Sequence, residues 1–191
     1  MTALFELPAD VLTYEAFMAE PTVRGRYDIV QGVRVFQPEL SWRRQRIIGH
    51  FAGAFSGHKR CHNSRAVSSF DLLICRAPLQ IRQPDILLIS LDRLTVAGGP
   101  PKVGPLEIGP ELVVEIMIDG QCEQVLWDKI ADYQKLGVDE CWVVRPDAGT
   151  VEVLVLTRGK ARSFATYGDE EIFFSLILSG LSISVADVFA D

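Results

Sequence analysis

Leu112-Val113-Val114-Glu115-Ile116-Met117-Ile118 is followed, after a polar gap, by Val125/Leu126, Lys129/Ile130, Tyr133 and Leu136, and then by Cys141-Trp142-Val143-Val144. The first run is short and apolar but for Glu115, which suits a strand covered on both faces. The second set recurs at intervals of three and four residues, the period of a helix. Gly137 stands where a left-handed cap would end that helix. Strand, helix and strand in this order decide an α/β fold.

Working outward, the spacing predicts a helix over Ala9–Ala19 with Asp10 or Thr13 as its N-cap, and a hairpin of Tyr27–Val30 and Val33–Gln37 turned at Gln31-Gly32. A longer helix runs from Ser41 to about Ser56, its apolar face formed by Ile47, Phe51, Ala54 and Phe55. Gly49, Gly53 and Gly57 recur along it. Because an interior glycine costs about 1 kcal/mol relative to alanine, the stripe predicts close backbone approach to a neighbour, with the helix lying low over a sheet or, alternatively, meeting a second helix in a dimer. Phe70–Cys75, Asp85–Ser90 and Val151–Leu156 read as strands, Ala97–Gly109 as a loop, and Val185–Phe189 as a final helical turn. No repeat or linker interrupts the chain, so residues 1–191 are expected to form one domain.

The 191 residues are 48% hydrophobic and 23% charged, ample for a core without disulfides. No apolar run approaches the roughly 18 residues that span a bilayer, and no cationic lead-in precedes an apolar stretch at the N-terminus. A cytoplasmic protein without a membrane partner is expected. Cys61, Cys75, Cys122 and Cys141 form no C-x-x-C pair, and Cys75 and Cys141 lie in apolar runs as structural thiols would. His58, Cys61 and His62 cluster without a distant ligand set, which is a weak zinc pattern. The loop at 97–109 lacks the G-K-[ST] ending of a phosphate-binding P-loop, and no G-x-S-x-G nucleophile motif occurs. The net charge of −6 is unevenly spread. Arg24–Arg65 holds nine Lys/Arg against Asp28 and Glu39, a basic segment able to meet phosphates.

Chemistry is signalled by charges where strands should be buried. Asp85 follows Pro84 at the head of an apolar strand, and Glu115 interrupts another in its middle. A buried carboxylate must be protonated, paired or bound to a cation. Two fates therefore stay open: an ion pair with a nearby arginine, or a divalent metal held by oxygen ligands. Lys129, on the helix after the Glu115 strand, could reach back to the same place and counter charge on a phosphate.

Pro84-Asp85-Ile-Leu-Leu, Leu112-Val-Val-Glu115-Ile, Lys129 and Tyr133-Gln-Lys-Leu-Gly137-Val-Asp-Glu140-Cys-Trp142-Val-Val-Arg-Pro146 together resemble the Uma-two family of restriction-endonuclease-like proteins, of the PD-(D/E)XK superfamily. Tyr27-Asp-Ile-Val-Gln-Gly32 and Arg44-Gln-Arg-Ile-Ile-Gly49 are similar to that family's opening hairpin and first long helix. The resemblance implies a mixed central sheet flanked by helices, with an N-terminal helix and hairpin. It implies metal-dependent hydrolysis of DNA by a homodimer. Asp85, Glu115 and the backbone carbonyl of Ile116 would bind Mg2+ or Mn2+, and Lys129 would complete the catalytic trio. Arg43, Arg44 and Arg46 are then the candidate phosphate contacts. Met117 stands where the superfamily often has its lysine. Ile118-Asp119-Gly120-Gln121, Val125 and Arg44 replace polar residues and a histidine of the family pattern. These departures point to the alternative, a catalytically silent nuclease-fold module that binds DNA or a protein partner.

Overall fold

A computed structural model describes residues 11–20, 23–57, 63–117, 120–157 and 160–190. The chain order is α1 (Tyr14–Ala19), β1 (Tyr27–Val30), β2 (Val33–Phe36), α2 (Trp42–Gly57), β3 (Ser64–Ser68), β4 (Leu72–Arg76), β5 (Leu79–Arg82), β6 (Ile86–Ser90) and α3 (Leu91–Val96). It continues with β7 (Leu112–Ile116), α4 (Glu123–Leu136), β8 (Glu140–Arg145), β9 (Thr150–Thr157), β10 (Lys160–Tyr167), β11 (Ile172–Phe174), β12 (Ser182–Ser184) and α5 (Val185–Phe189).

Six strands form the central sheet in the order β10-β9-β8-β7-β6-β3. Only β7 and β8 run parallel, because α4 carries the chain back across one face between them; a parallel pair needs such a crossover. Every other neighbouring pair is antiparallel, so the sheet is mixed. A second sheet, β2-β1-β5-β4, carries the hairpin, and β11 and β12 form a small third one.

Strand alternation sorts the core into two layers. Val114, Ile116, Ile86, Leu88, Trp142 and Val144 pack toward Ile47, Phe51 and Phe55 of α2. Val113, Leu87, Ile89, Cys141 and Val143 pack toward Leu126, Ile130 and Tyr133 of α4. Gly137 ends α4 at φ 89°, with its N–H returned to the carbonyls of Tyr133 and Gln134. At Gly109 the loop passes close against the end of α4. A Cβ there would lie 2.5 Å from the carbonyl carbon of Gly137, so only glycine permits the approach.

Several expectations need correction. The strand expected over Phe70–Cys75 starts at Leu72 and is followed by β5, and the polar segment 64–68 forms the edge strand β3. Leu106, inside the expected loop, bridges to Leu72 and exchanges backbone hydrogen bonds with Leu73 and Asp71 at 2.8 Å. Helix α1 is shorter than Ala9–Ala19, and the Thr13 hydroxyl accepts from the Ala16 N–H at 3.2 Å as its cap. Asp10, His58, Cys61, His62, Ile118 and Asp119 lie outside the described residues. Cys141 is buried, but Cys75 is exposed at the end of its strand.

The glycine stripe is the clearest reversal. Gly49, Gly53 and Gly57 face outward, and none of the described residues lies within 4 Å of where a Cβ would stand. The buried stripe of α2 is instead Arg44, Ile47, Phe51 and Phe55. With no close approach to preserve, Gly49→Ala and Gly53→Ala should each raise the unfolding free energy by about 0.5–1 kcal/mol. Urea denaturation of the two variants checks this.

Candidate functional site

The β6–β7 register pairs Ile86 with Val114 and so carries Asp85 to the place opposite Glu115. Glu115 shares strand parity with Val113, whose side chain packs in the layer under α4. That parity turns its carboxylate toward Lys129 and Tyr133, which lie one helical turn apart. Asp85, Glu115 and Lys129 are thus brought together at one end of the sheet, each almost wholly buried.

Asp85 is held on all sides. Nε and Nη2 of Arg44 donate to its two carboxylate oxygens at 2.8 Å each, a bidentate fork. Nη1 of Arg26 lies 2.9 Å from Oδ1, and the backbone N–H of Ile116 donates to Oδ2 at 2.7 Å. Glu115 is engaged almost as fully. Lys129 Nζ donates to both of its oxygens at 2.9 Å, and the Tyr133 hydroxyl donates to Oε1. Burial raises the Glu115 pKa above the usual carboxylate range, although Lys129 pulls the other way; the Asp85 charge adds to the rise. Burial, followed by the charge of Glu115, also pushes the Tyr133 phenol well above its ordinary value.

The ion pairs continue beyond the trio. Lys129 Nζ is 3.8 Å from Asp28 Oδ2, and Asp28 accepts from Arg82 Nη1 at 3.3 Å and from the Gln83 N–H at 2.9 Å. Arg82 Nε then donates to Asp132 at 2.8 Å. Burial would raise the Asp132 pKa, but hydrogen bonds from Lys135, Gln80 and Arg82 outweigh it and hold the carboxyl below its ordinary value. Four acids (Asp28, Asp85, Glu115, Asp132) and four bases (Arg26, Arg44, Arg82, Lys129) make the inner part of the network, whose formal charge is zero, and the exposed Lys135 pairs with Asp132 at its edge.

Two recesses flank the Arg44 end of this network. One, of about 270 Å³, is lined by Ser41, Arg43, Arg44, Ile116 and Met117 among others. The other, of about 220 Å³, is lined by Asp28, Phe36, Arg44, Val125 and Lys129 among others. Arg44 is common to both. Its side chain therefore stands between solvent-accessible space and the Asp85 carboxylate.

The three arginines considered as phosphate contacts separate accordingly. Arg44 is buried against Asp85 and does not face outward. Arg43 is about half exposed at the rim of the larger recess, where it pairs with Asp147 at 3.0 Å and reaches the Pro146 carbonyl. Arg46 is partly buried one turn after Trp42. Met117 packs with the layer under α4 and its N–H continues the ladder to Val144, so no cation takes its place.

A carboxylate offers about four lone-pair positions on its two oxygens. Three hydrogen bonds and the Arg26 ion pair engage Asp85, and three hydrogen bonds engage Glu115. A hard divalent cation needs free oxygen ligands and a negative site. In this arrangement the residues do not fit Mg2+ or Mn2+. Among the described residues no group of three His, Cys, Asp or Glu could hold a metal ion.

Reading the residues alone missed Arg26, Tyr133, Asp28, Arg82 and Asp132. Asp28 and Arg82 carried the same signal as Asp85, a charge within or beside an apolar strand. Tyr133 lay on the predicted helix face, one turn from Lys129.

A family model described as "Putative restriction endonuclease" (Uma2) matches residues 13–186. Among solved structures, the chain is similar to "a putative nuclease belonging to DUF820 from Anabaena variabilis". The two share 17% sequence identity over 93% of this chain and 97% of the other, with a TM-score of 0.75. At that identity the likeness shows a common fold. No curated protein matches. No helix among the described residues is long and apolar enough to cross a membrane.

Proposed function

Because the chain belongs to the Uma2 family of restriction-endonuclease-type proteins, we propose that it is a nuclease-fold module that binds DNA through phosphate contacts, with its acidic pair closed to hydrolysis. One observation carries the second half of this reading: hydrogen-bond donors already engage all four oxygens of Asp85 and Glu115. A neutral, ion-paired network gives a metal-bound water no place to form. Arg43 is the contact that supports the first half. It lies exposed at the rim of the recess, in the first turn of α2, where the helix dipole favours an anion.

Metal-dependent hydrolysis of DNA by Asp85, Glu115 and Lys129 is the second reading. Their convergence at one end of the sheet, beside the two recesses, favours it. It requires both acids to lose their present partners.

Supercoiled plasmid incubated with the chain and Mg2+ or Mn2+ separates the two readings. The expected outcome is retention of DNA at low salt, weakening as salt rises, with no nicking above background. Arg43→Ala should lower affinity for all sequences alike and reduce the salt slope by about 1. Nicking that Asp85→Asn abolishes would establish the hydrolase instead. Absence of DNA retention at low salt would end the DNA reading.

A further inference from the structure

We propose that the Arg44 guanidinium is a built-in cation that plugs the Asp85–Glu115 pair, and that removing this one side chain creates a divalent metal site. The inference rests on the closed site in the functional reading above, but not on DNA binding.

Position is the first ground. The Arg44 fork sits 2.8 Å from both Asp85 oxygens, and Arg44 lines both recesses while the wholly buried Asp85 lines neither. A Mg2+ ion binds oxygen at about 2.0–2.1 Å. An ion at that distance on the same side would share space with the guanidinium and be repelled by its charge.

Occupancy is the second ground. Without Arg44, Asp85 keeps Arg26 on Oδ1 and the Ile116 N–H on Oδ2. Of its roughly four lone-pair positions, two become free. Glu115 already has one to spare, and the register places it opposite Asp85.

Charge is the third. Taking one base from a network of four acids and four bases leaves it at −1. The vacated volume joins the recesses of about 270 and 220 Å³ that Arg44 now lines. That space admits the waters that Mg2+ and Mn2+ keep in their shells. A buried carboxylate left without its partner has strong reason to recruit a cation from solution.

Paramagnetic titration of free Mn2+ tests this on the native 191-residue chain, on Arg44→Ala and on Arg44→Ala/Asp85→Asn. The native chain is expected to take up no Mn2+ at millimolar concentrations. Arg44→Ala should bind one Mn2+ at least tenfold more tightly than the native chain, and Asp85→Asn in that background should abolish the gain. Arg44→Gln, neutral and of similar reach, replaces the alanine variant if the latter does not fold. Asp85-dependent Mn2+ binding by the native chain would overturn the inference. A folded Arg44 variant that binds no more tightly than the native chain would overturn it as well. The plug stands on Mn2+ uptake even if the plasmid experiment finds no DNA retention, and it fails alone if DNA is retained and Mn2+ is not gained.

Discussion

Lys129→Ala should lower the unfolding free energy by about 3–5 kcal/mol, the usual cost of breaking a buried ion pair from one side. Lys129 is 1% exposed and, among the described residues, is the cation that contacts both Glu115 oxygens. It also faces Asp28 at 3.8 Å. Its loss leaves Glu115 with the Tyr133 hydroxyl alone, deep in the layer under α4. The deficit is set by the charge, so it should depend on pH. Burial already holds the Glu115 pKa above its unfolded value, and Lys129 is the largest influence pulling it down. In the variant the folded pKa rises further. A carboxyl with a raised folded pKa gives stability that is full below the unfolded pKa and lost as pH climbs through the folded one. The difference from the native chain should therefore be smaller near pH 4 than at pH 8. Adding Glu115→Gln to Lys129→Met removes both charges, keeps an acceptor for Tyr133 and should recover most of the loss, as replaced buried pairs commonly do. Urea denaturation at the two pH values, on the single and double variants, provides the measurement.

How much of this was legible from the residues can be judged at Arg44. The apolar stripe of α2 was correctly read at Ile47, Phe51 and Phe55. Stepping back three and seven positions from the first two reaches Arg44, so the helical period already turned it inward. Its membership in a basic segment suggested phosphate instead, and the geometry of the helix prevails over charge counting. Asp85 and Glu115 were legible because a charge inside an apolar strand is rare. In the folded chain Asp85 is paired with two arginines, whereas Glu115 is paired with Lys129. Which arginines would meet Asp85 could not be read from local pattern. Arg26 and Arg44 come from separate elements, and only the packing of the hairpin and α2 around the sheet end brings them to one carboxylate. The glycine stripe failed for a related reason: periodicity identifies a face, but not whether anything lies against it.

Trp142→Ala should cost about 3–5 kcal/mol, the range for truncating a large buried aromatic. Trp142 is wholly buried at the centre of the layer under α2. Its ring lies 5.8 Å from Phe51, 5.9 Å from Phe55 and 5.0 Å from Phe173, the last nearly perpendicular. Its indole N–H also donates to Glu140 at 2.5 Å, a carboxylate that would lose this donor while keeping Ser175 and the Leu176 N–H. Trp142→Phe preserves most of the packing and should lose considerably less. The consequence reaches the site through α2. Phe51 lies two turns beyond Arg44 on the same buried stripe, so the aromatic cluster fixes the helix that aims the guanidinium at Asp85. Loosening that anchor should loosen the Arg44–Asp85 fork before the sheet itself opens, because β6 and β7 remain paired by their own ladder. Hydrogen exchange at the Ile116 amide, whose N–H is donated to Asp85, reports the environment of that carboxylate directly. In Trp142→Ala its protection should fall further than that of Val113 and Val114 in the same strand. An equal fall at all three would mean that the helix and sheet yield as one unit, and that the plug is held by the sheet end rather than by the aromatic anchor.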